Sequence, residues 1–405
     1  MRRLLLLATL AACASDPPPP PRPPDVQVLD AAPALAALRA GQFDEAARAA
    51  GTALARAPRD SQVAAIRAVA TYVGAADRLA DRLEAVIKAA DAVHYFDHEE
   101  GRAVWTRFLA DLDDVDRDLA IAAADPTFVL ELCPACWTGH DWNHNGRLDP
   151  GDEHLFEIET DMAGSDLPEH DPRRRPTYRF DAGDIQWARA MVAFQRAGAE
   201  LVLAYRWSEL DKLILRRHGD RVDKRVVVHL VDGDRVRHAR EDILAGLAYS
   251  AAEREAYLAE TDDDREWVPN PRQVSHPMPF AVDQALYTHW AELLGDASKL
   301  LTSDEGLSIR ETAELVEKRA GRYVPDAYID VGRMLREPQD IVIDLASMDQ
   351  RQPPLERIAR EVLGHGYAEH MRASPLVGRI GRMIGDAEHG DETFEHKLHY
   401  LFWLN

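Results

Sequence analysis

Asp141, Asn143, Asn145, Asp149 and Asp152 put five oxygen-bearing side chains into one twelve-residue stretch, mostly two residues apart around Gly146. A hard divalent cation such as calcium takes about 6–8 oxygens, and a chain that wraps it turns alternate side chains inward. The chemistry on offer is therefore retention of an ion. A rival reading uses softer groups close by. Cys133, Cys136, His140 and His144 follow the order C-x2-C-x3-H-x3-H, tighter than ordinary zinc fingers and competing for the same backbone. Trp137 stands where haem attachment would need a histidine. The other histidines carry less. His365 and His370 are five apart and do not share a helical face, whereas His396 and His399, three apart beside Glu395, could meet. The sequence contains no H-E-x-x-H pattern, no G-x-S-x-G elbow and no glycine-rich phosphate loop. Arg173, Arg174 and Arg175 read as solvated loop charge.

The oxygen-rich stretch resembles an EF-hand calcium loop. The resemblance implies a ligand set of Asp141, Asn143, Asn145, the Arg147 carbonyl, Asp149 and Asp152, with Gly146 at the turn. Leu148 is expected to point away into the core, and Pro150 suits the first turn of an exiting helix over 152–160. Asp152 stands where the family usually has glutamate, and its shorter arm implies lower affinity and weaker discrimination against magnesium. Cys133 to Cys136 occupies the place of the entering helix, which is closer to dockerin-like loops than to paired sensor hands. No second copy follows. One structural calcium ion, rather than a switch, is the expectation.

The first residues say where such a protein would work. Arg2 and Arg3 precede the apolar run Leu4–Leu7, and small residues lead to Cys13. This order reads as a secretory signal peptide over 1–12, too short to span a bilayer. Leu10, Ala11, Ala12 and Cys13 resemble the lipobox of bacterial lipoproteins, implying acyl chains on Cys13. Ala14, rather than an aspartate, then favours the outer membrane of the cell envelope. Residues 13–28 carry a proline run, a stiff polyproline II spacer of about 3.1 Å per residue. With Cys13 committed to lipid, Cys133 and Cys136 remain, and an oxidising compartment predicts that they pair as a disulfide. A net charge of −22 argues against nucleic acid as a partner.

These groups must be positioned mostly by helices, because most segments repeat apolar residues at helical spacing. Gly41, Phe43, Ala46, Ala50, Ala53, Leu54 and Pro58 resemble half a tetratricopeptide repeat, followed by a degraded copy over Ser61–Val93. Asp125 and Pro126 break the pattern. The expected organisation is mainly α: tetratricopeptide-like helical hairpins over 29–125, a loop-rich calcium-binding junction over 126–176, and a second helical domain over 177–405. Asp184 is expected to cap a helix running to about Leu215. Val226–Val228 and Val236 predict a hairpin around Asp232-Gly233-Asp234, and Ile341–Ile343 another strand. Helices are expected over 241–260, 281–301, 308–321, Leu355–Arg372 and Phe394–Leu404, and an ordered loop from Trp267 to Pro279. Functionally, the sequence predicts a non-catalytic lipoprotein whose helical hairpins bind a protein partner or serve the envelope structurally. The alternative is a hydrolase-like enzyme with an unrecognised active site in 177–405.

Overall fold

A computed structural model describes residues 26–93, 96–211, 225–261, 263, 265–279, 282–317, 324–344 and 355–389. The expected signal peptide, Cys13, most of the proline spacer, His396, His399 and the Phe394–Leu404 helix lie outside the described residues. Twelve helices and nine short strands make up the described fold, and the longest strand has six residues. The protein is mainly α, as the periodicity predicts.

Four helices open it: α1 (Val26–Arg39), α2 (Phe43–Leu54), α3 (Ser61–Val93) and α4 (His98–Ala123). Each packs on the next, and alanines make that approach close. Ala34, Ala46, Ala50 and Ala64 are fully buried, with Leu38, Ile66, Leu112 and Leu119 filling the spaces between. Gly41 turns α1 into α2 with φ +68°, a region where a Cβ is strained. Two acids are buried between α3 and α4, and each has a guanidinium: Arg67 donates to Asp118, and Arg78 donates to Asp111. Asp97 caps α4 by accepting from the Glu100 N–H.

After β1 (Leu130–Leu132), a tight turn at Pro134–Cys136 and the one-turn α5 (Pro150–Glu153), β2 (Tyr178–Phe180) pairs antiparallel with β1. Asp181 caps α6 (Ala182–Ala204) in a reciprocal box, accepting from Gly183 while Asp184 accepts from the Asp181 N–H. The cap is thus three residues earlier than expected, and Asp184 is a buried third helical residue. The helix also ends early. Tyr205 turns extended, and β3 (Tyr205–Arg206) pairs with β4 (Arg225–Leu230); Leu215 lies outside the described residues.

The expected hairpin at Asp232 does not form. Asp232 instead accepts from the N–H groups of Asp234 and Arg235 and starts α7 (Gly233–Ala259), so Val236 is helical. Capping chemistry prevails over the valine pattern here, because Asp232 satisfies amides that a hairpin would leave to a partner strand. Then come α8 (Gln284–Thr302), β5 (Glu305–Ser308), α9 (Ile309–Glu317), β6 (Tyr328–Ile329), α10 (Val331–Arg336) and β7 (Ile341–Asp344). The last four are α11 (Leu355–Leu363), β8 (Tyr367–Ala368), β9 (Arg372–Ala373) and α12 (Leu376–His389). The strand expected at Ile341 is β7, and it pairs with β4. The helix from Leu355 stops at Gly364, whose φ is +52°, well short of Arg372.

Two large cores result. The first fills α1–α4 and also takes Ile185, Val192, Ala199 and Leu203 from α6. The second gathers Ile158, Tyr178, Tyr257, Trp267, Met278 and Tyr287. Trp267 is 4% exposed, which anchors the proline-rich loop as its sequence predicts, while Phe280 lies outside the described residues. Phe156 and Phe180 pack against both large cores at once.

Candidate metal centre

The oxygen loop is built from the ends inward. Cys133 and Cys136 are joined by a disulfide with Cα atoms 5.2 Å apart, across a turn in which Trp137 N–H donates to Pro134 O at 3.0 Å. Trp137 is buried, and its indole N–H donates to Leu38 O at 2.8 Å. Four residues later the loop begins.

Within it, side-chain oxygens bind the loop's own amides. Asp141 accepts from Asn145 N–H at 3.2 Å and from Gly146 N–H at 2.7 Å. Asn145 Oδ1 accepts from Arg147 N–H at 2.8 Å. Asp152 is 4% exposed and ties the two ends together, accepting from Asn143 N–H at 3.1 Å and Asp149 N–H at 3.0 Å. Asp149 caps α5 and receives the Asn143 and Asn145 amides at 3.3 and 2.7 Å. Those hydrogen bonds, the one from Asn145 foremost, hold its carboxyl below the usual carboxylate range. Gly146 has φ +78° and His144 φ +54°, so the chain doubles back on itself twice within the wrap.

All six implied ligands therefore sit in one closed turn. Among the described residues, no three His, Cys, Asp or Glu side chains gather closely enough to hold a metal by themselves. An ion in this loop would depend on the Asn143 and Asn145 side-chain oxygens and the Arg147 carbonyl besides the aspartates. The donor types, carboxylate, amide and carbonyl oxygens, are those a hard cation takes, and an ion would replace the bonds that Asn143 and Asn145 Oδ1 now accept from the Asn145 and Arg147 N–H groups. The site does not fit zinc, since both sulfurs are bonded to each other and the histidines face elsewhere. His140 Nε2 lies 3.1 Å from Asp77 on α3, and His144 lies 3.6 Å from Asp77 and 3.5 Å from Asp81. Trp142 stacks edge-on with His140 and Phe156, at 4.2 and 5.2 Å between ring centres. The loop's side-chain oxygens thus bond its own amides, while Trp142 and His144 reach the helical hairpins at Phe43, Asp77 and Asp81.

No protein-family model, curated protein or solved structure matches this chain. Its chemistry must be read from its own residues.

Three expectations about this region need correction. Leu148 is 56% exposed rather than in a core, because Trp142 makes the loop's ring contacts, with Phe43 and Phe156, and among the described residues no second loop covers position 148. The exiting helix is the single turn α5, not 152–160, since the chain bends at His154 to bring Glu157 inward. Arg174 and Arg175 are not solvated loop charge. Both donate to the Glu157 carboxylate, at 2.8 and 2.7 Å, while Arg173 pairs with Asp171.

A second constellation went unread in the sequence. Asp184, Glu253 and Glu266 are buried in the second core, with Glu260 partly covered beside them and the Tyr257 hydroxyl donating to Asp184 at 2.8 Å. Burial, reinforced by neighbouring acids, pushes Glu253 and Glu260 up to about 9 and Asp184 well above its ordinary value. The signal was present in the spacing. Gly246, Ser250, Glu253 and Tyr257 fall on one stripe of α7, the stripe that is buried.

Proposed function

We propose that this chain is a calcium-holding bacterial lipoprotein, anchored to the envelope by lipid on Cys13, most simply at the outer membrane. In this reading it is non-catalytic. One ion would sit among Asp141, Asn143, Asn145, the Arg147 carbonyl, Asp149 and Asp152. Its role would be structural, removing freedom from a junction with few apolar residues of its own. The observation that supports the reading is a turn that gathers the oxygen-bearing side chains over its own amides, beside α3 at His140 and His144. The helical hairpins would then meet a protein partner. An open groove of about 540 Å³ lined by Phe43, Asp44, Glu45, Arg48, Asp77 and His140 carries three carboxylates against one guanidinium, which favours a basic segment. No described helix is long and apolar enough to cross a membrane, which is compatible with a lipid anchor.

Thermal unfolding with calcium and with chelator tests it. A free-ion concentration 100 times the dissociation constant is expected to stabilise by about 2.7 kcal/mol. Asp141→Ala should lose that calcium-dependent increment, beyond any baseline loss from its bonds to Asn145 and Gly146. Equal melting of loaded and stripped protein, or zinc on metal analysis, would overturn the ion assignment. The anchor has its own readout: acyl mass on Cys13 and membrane partitioning that Cys13→Ser abolishes.

A further inference from the structure

We infer that the Cys133–Cys136 disulfide is a thiol–disulfide exchange site, open to attack by an external thiol at Cys136. The bridge spans only two intervening residues, and the stabilisation a disulfide gives by restricting the unfolded chain is least for the shortest loops. Nor does the turn depend on it. Cys136 N–H donates to Cys133 O at 2.9 Å, Trp137 N–H donates to Pro134 O at 3.0 Å, and Pro134, Ala135 and Trp137 are buried. None of these contacts uses a sulfur atom. The two cysteines differ in access: Cys136 is exposed and Cys133 half-buried. An incoming thiolate therefore meets Cys136 first.

The reaction balances with a dithiol donor, small or protein-borne. Its thiolate attacks Cys136 Sγ, the Cys133–Cys136 bond breaks, and Cys133 leaves as a thiolate that takes up a proton. The donor's second thiol then resolves the mixed disulfide. The donor ends oxidised and the chain carries two thiols. The reduced Cys133 has an acceptor waiting, because its sulfur lies 3.6 Å from Arg175 O. A Cys-X-X-Cys pair with one reachable sulfur is the arrangement in which exchange is fast relative to structural bridges.

The test uses the full chain, folded, with the dithiol dithiothreitol without denaturant, and oxidised glutathione for the single-cysteine variant, followed by acid quench, alkylation and peptide mass mapping. Reduction of the 133–136 bridge is expected at a rate proportional to thiolate concentration, with the folded-state spectrum retained. Cys133→Ser should take up one glutathione at Cys136 from oxidised glutathione. The double variant Cys133→Ser/Cys136→Ser should melt within a few degrees of the parent. Reduction only in denaturant, a rate independent of thiol, or no adduct on Cys133→Ser would overturn the inference. Mass is read without calcium, so this result is separable from the ion assignment.

Discussion

Glu157→Ala should destabilise the protein by about 3–5 kcal/mol, the range for removing one partner from a buried ion pair. The Glu157 side chain is 1% exposed and serves three donors. Arg175 reaches Oε1 at 2.7 Å, while Arg174 and His154 Nδ1 each reach Oε2 at 2.8 Å. Burial alone would raise its carboxyl, but the bonds from Arg175, His154 and Arg174 outweigh that and lower it. The sign follows. A depressed acid contributes stability that is present above its unfolded value, about 4.5, and is lost as pH falls through the folded one. Truncation leaves Arg174, itself half-buried, without its carboxylate. Urea denaturation at neutral pH would measure the loss, and Glu157→Gln should recover part of it. A loss below about 1 kcal/mol would class the contact with surface pairs.

Glu253→Gln is expected to act in the opposite direction, stabilising the protein at neutral and alkaline pH. Burial first, then the charge of Asp184, pushes Glu253 up to about 9. A raised acid contributes most below its unfolded value of about 4.5. That contribution shrinks as pH climbs and is gone above about 9. Between those limits the parent should lose several kcal/mol, an order-of-magnitude figure at about 1.4 kcal/mol per pH unit. Glutamine cannot ionise, so its stability curve should be flatter across the same window. Denaturation midpoints at pH 6, 8 and 9.5 decide the matter; parallel curves for parent and variant would mean that Glu253 does not carry the dependence.

Helices were legible in the sequence and their ends were not, for reasons that recur. Ala46, Ala50 and Leu54 share a face at helical spacing, and that face is buried. Ends depend on local polar chemistry that offers several candidates. Asp181 and Asp184 both precede an apolar run, and only the folded chain shows that Asp181 caps while Asp184 answers it. At Asp232, valines on either side imply strands, but the aspartate's bonds to two amides commit the chain to α7. The oxygen loop was legible because its pattern is local, within twelve residues. Glu157 and its arginines were not, because 17 and 18 residues separate partners that only the folded junction brings together. Leu148 erred in the other direction. Its expected burial presumes a neighbouring loop, and among the described residues nothing fills that role.

Phe156 and Phe180 touch both cores, and α6 contributes four buried residues to the first while its opening acid belongs to the second. The thermodynamic consequence is cooperativity. Neither half can shed its apolar contacts without exposing rings and a helix face that the other half also covers, so intermediate states with one half melted carry a penalty from both. Calorimetry should find one transition with equal calorimetric and van't Hoff enthalpies, and a chain cut before Tyr178 should not fold alone, because it lacks the α6 wall of its own interior.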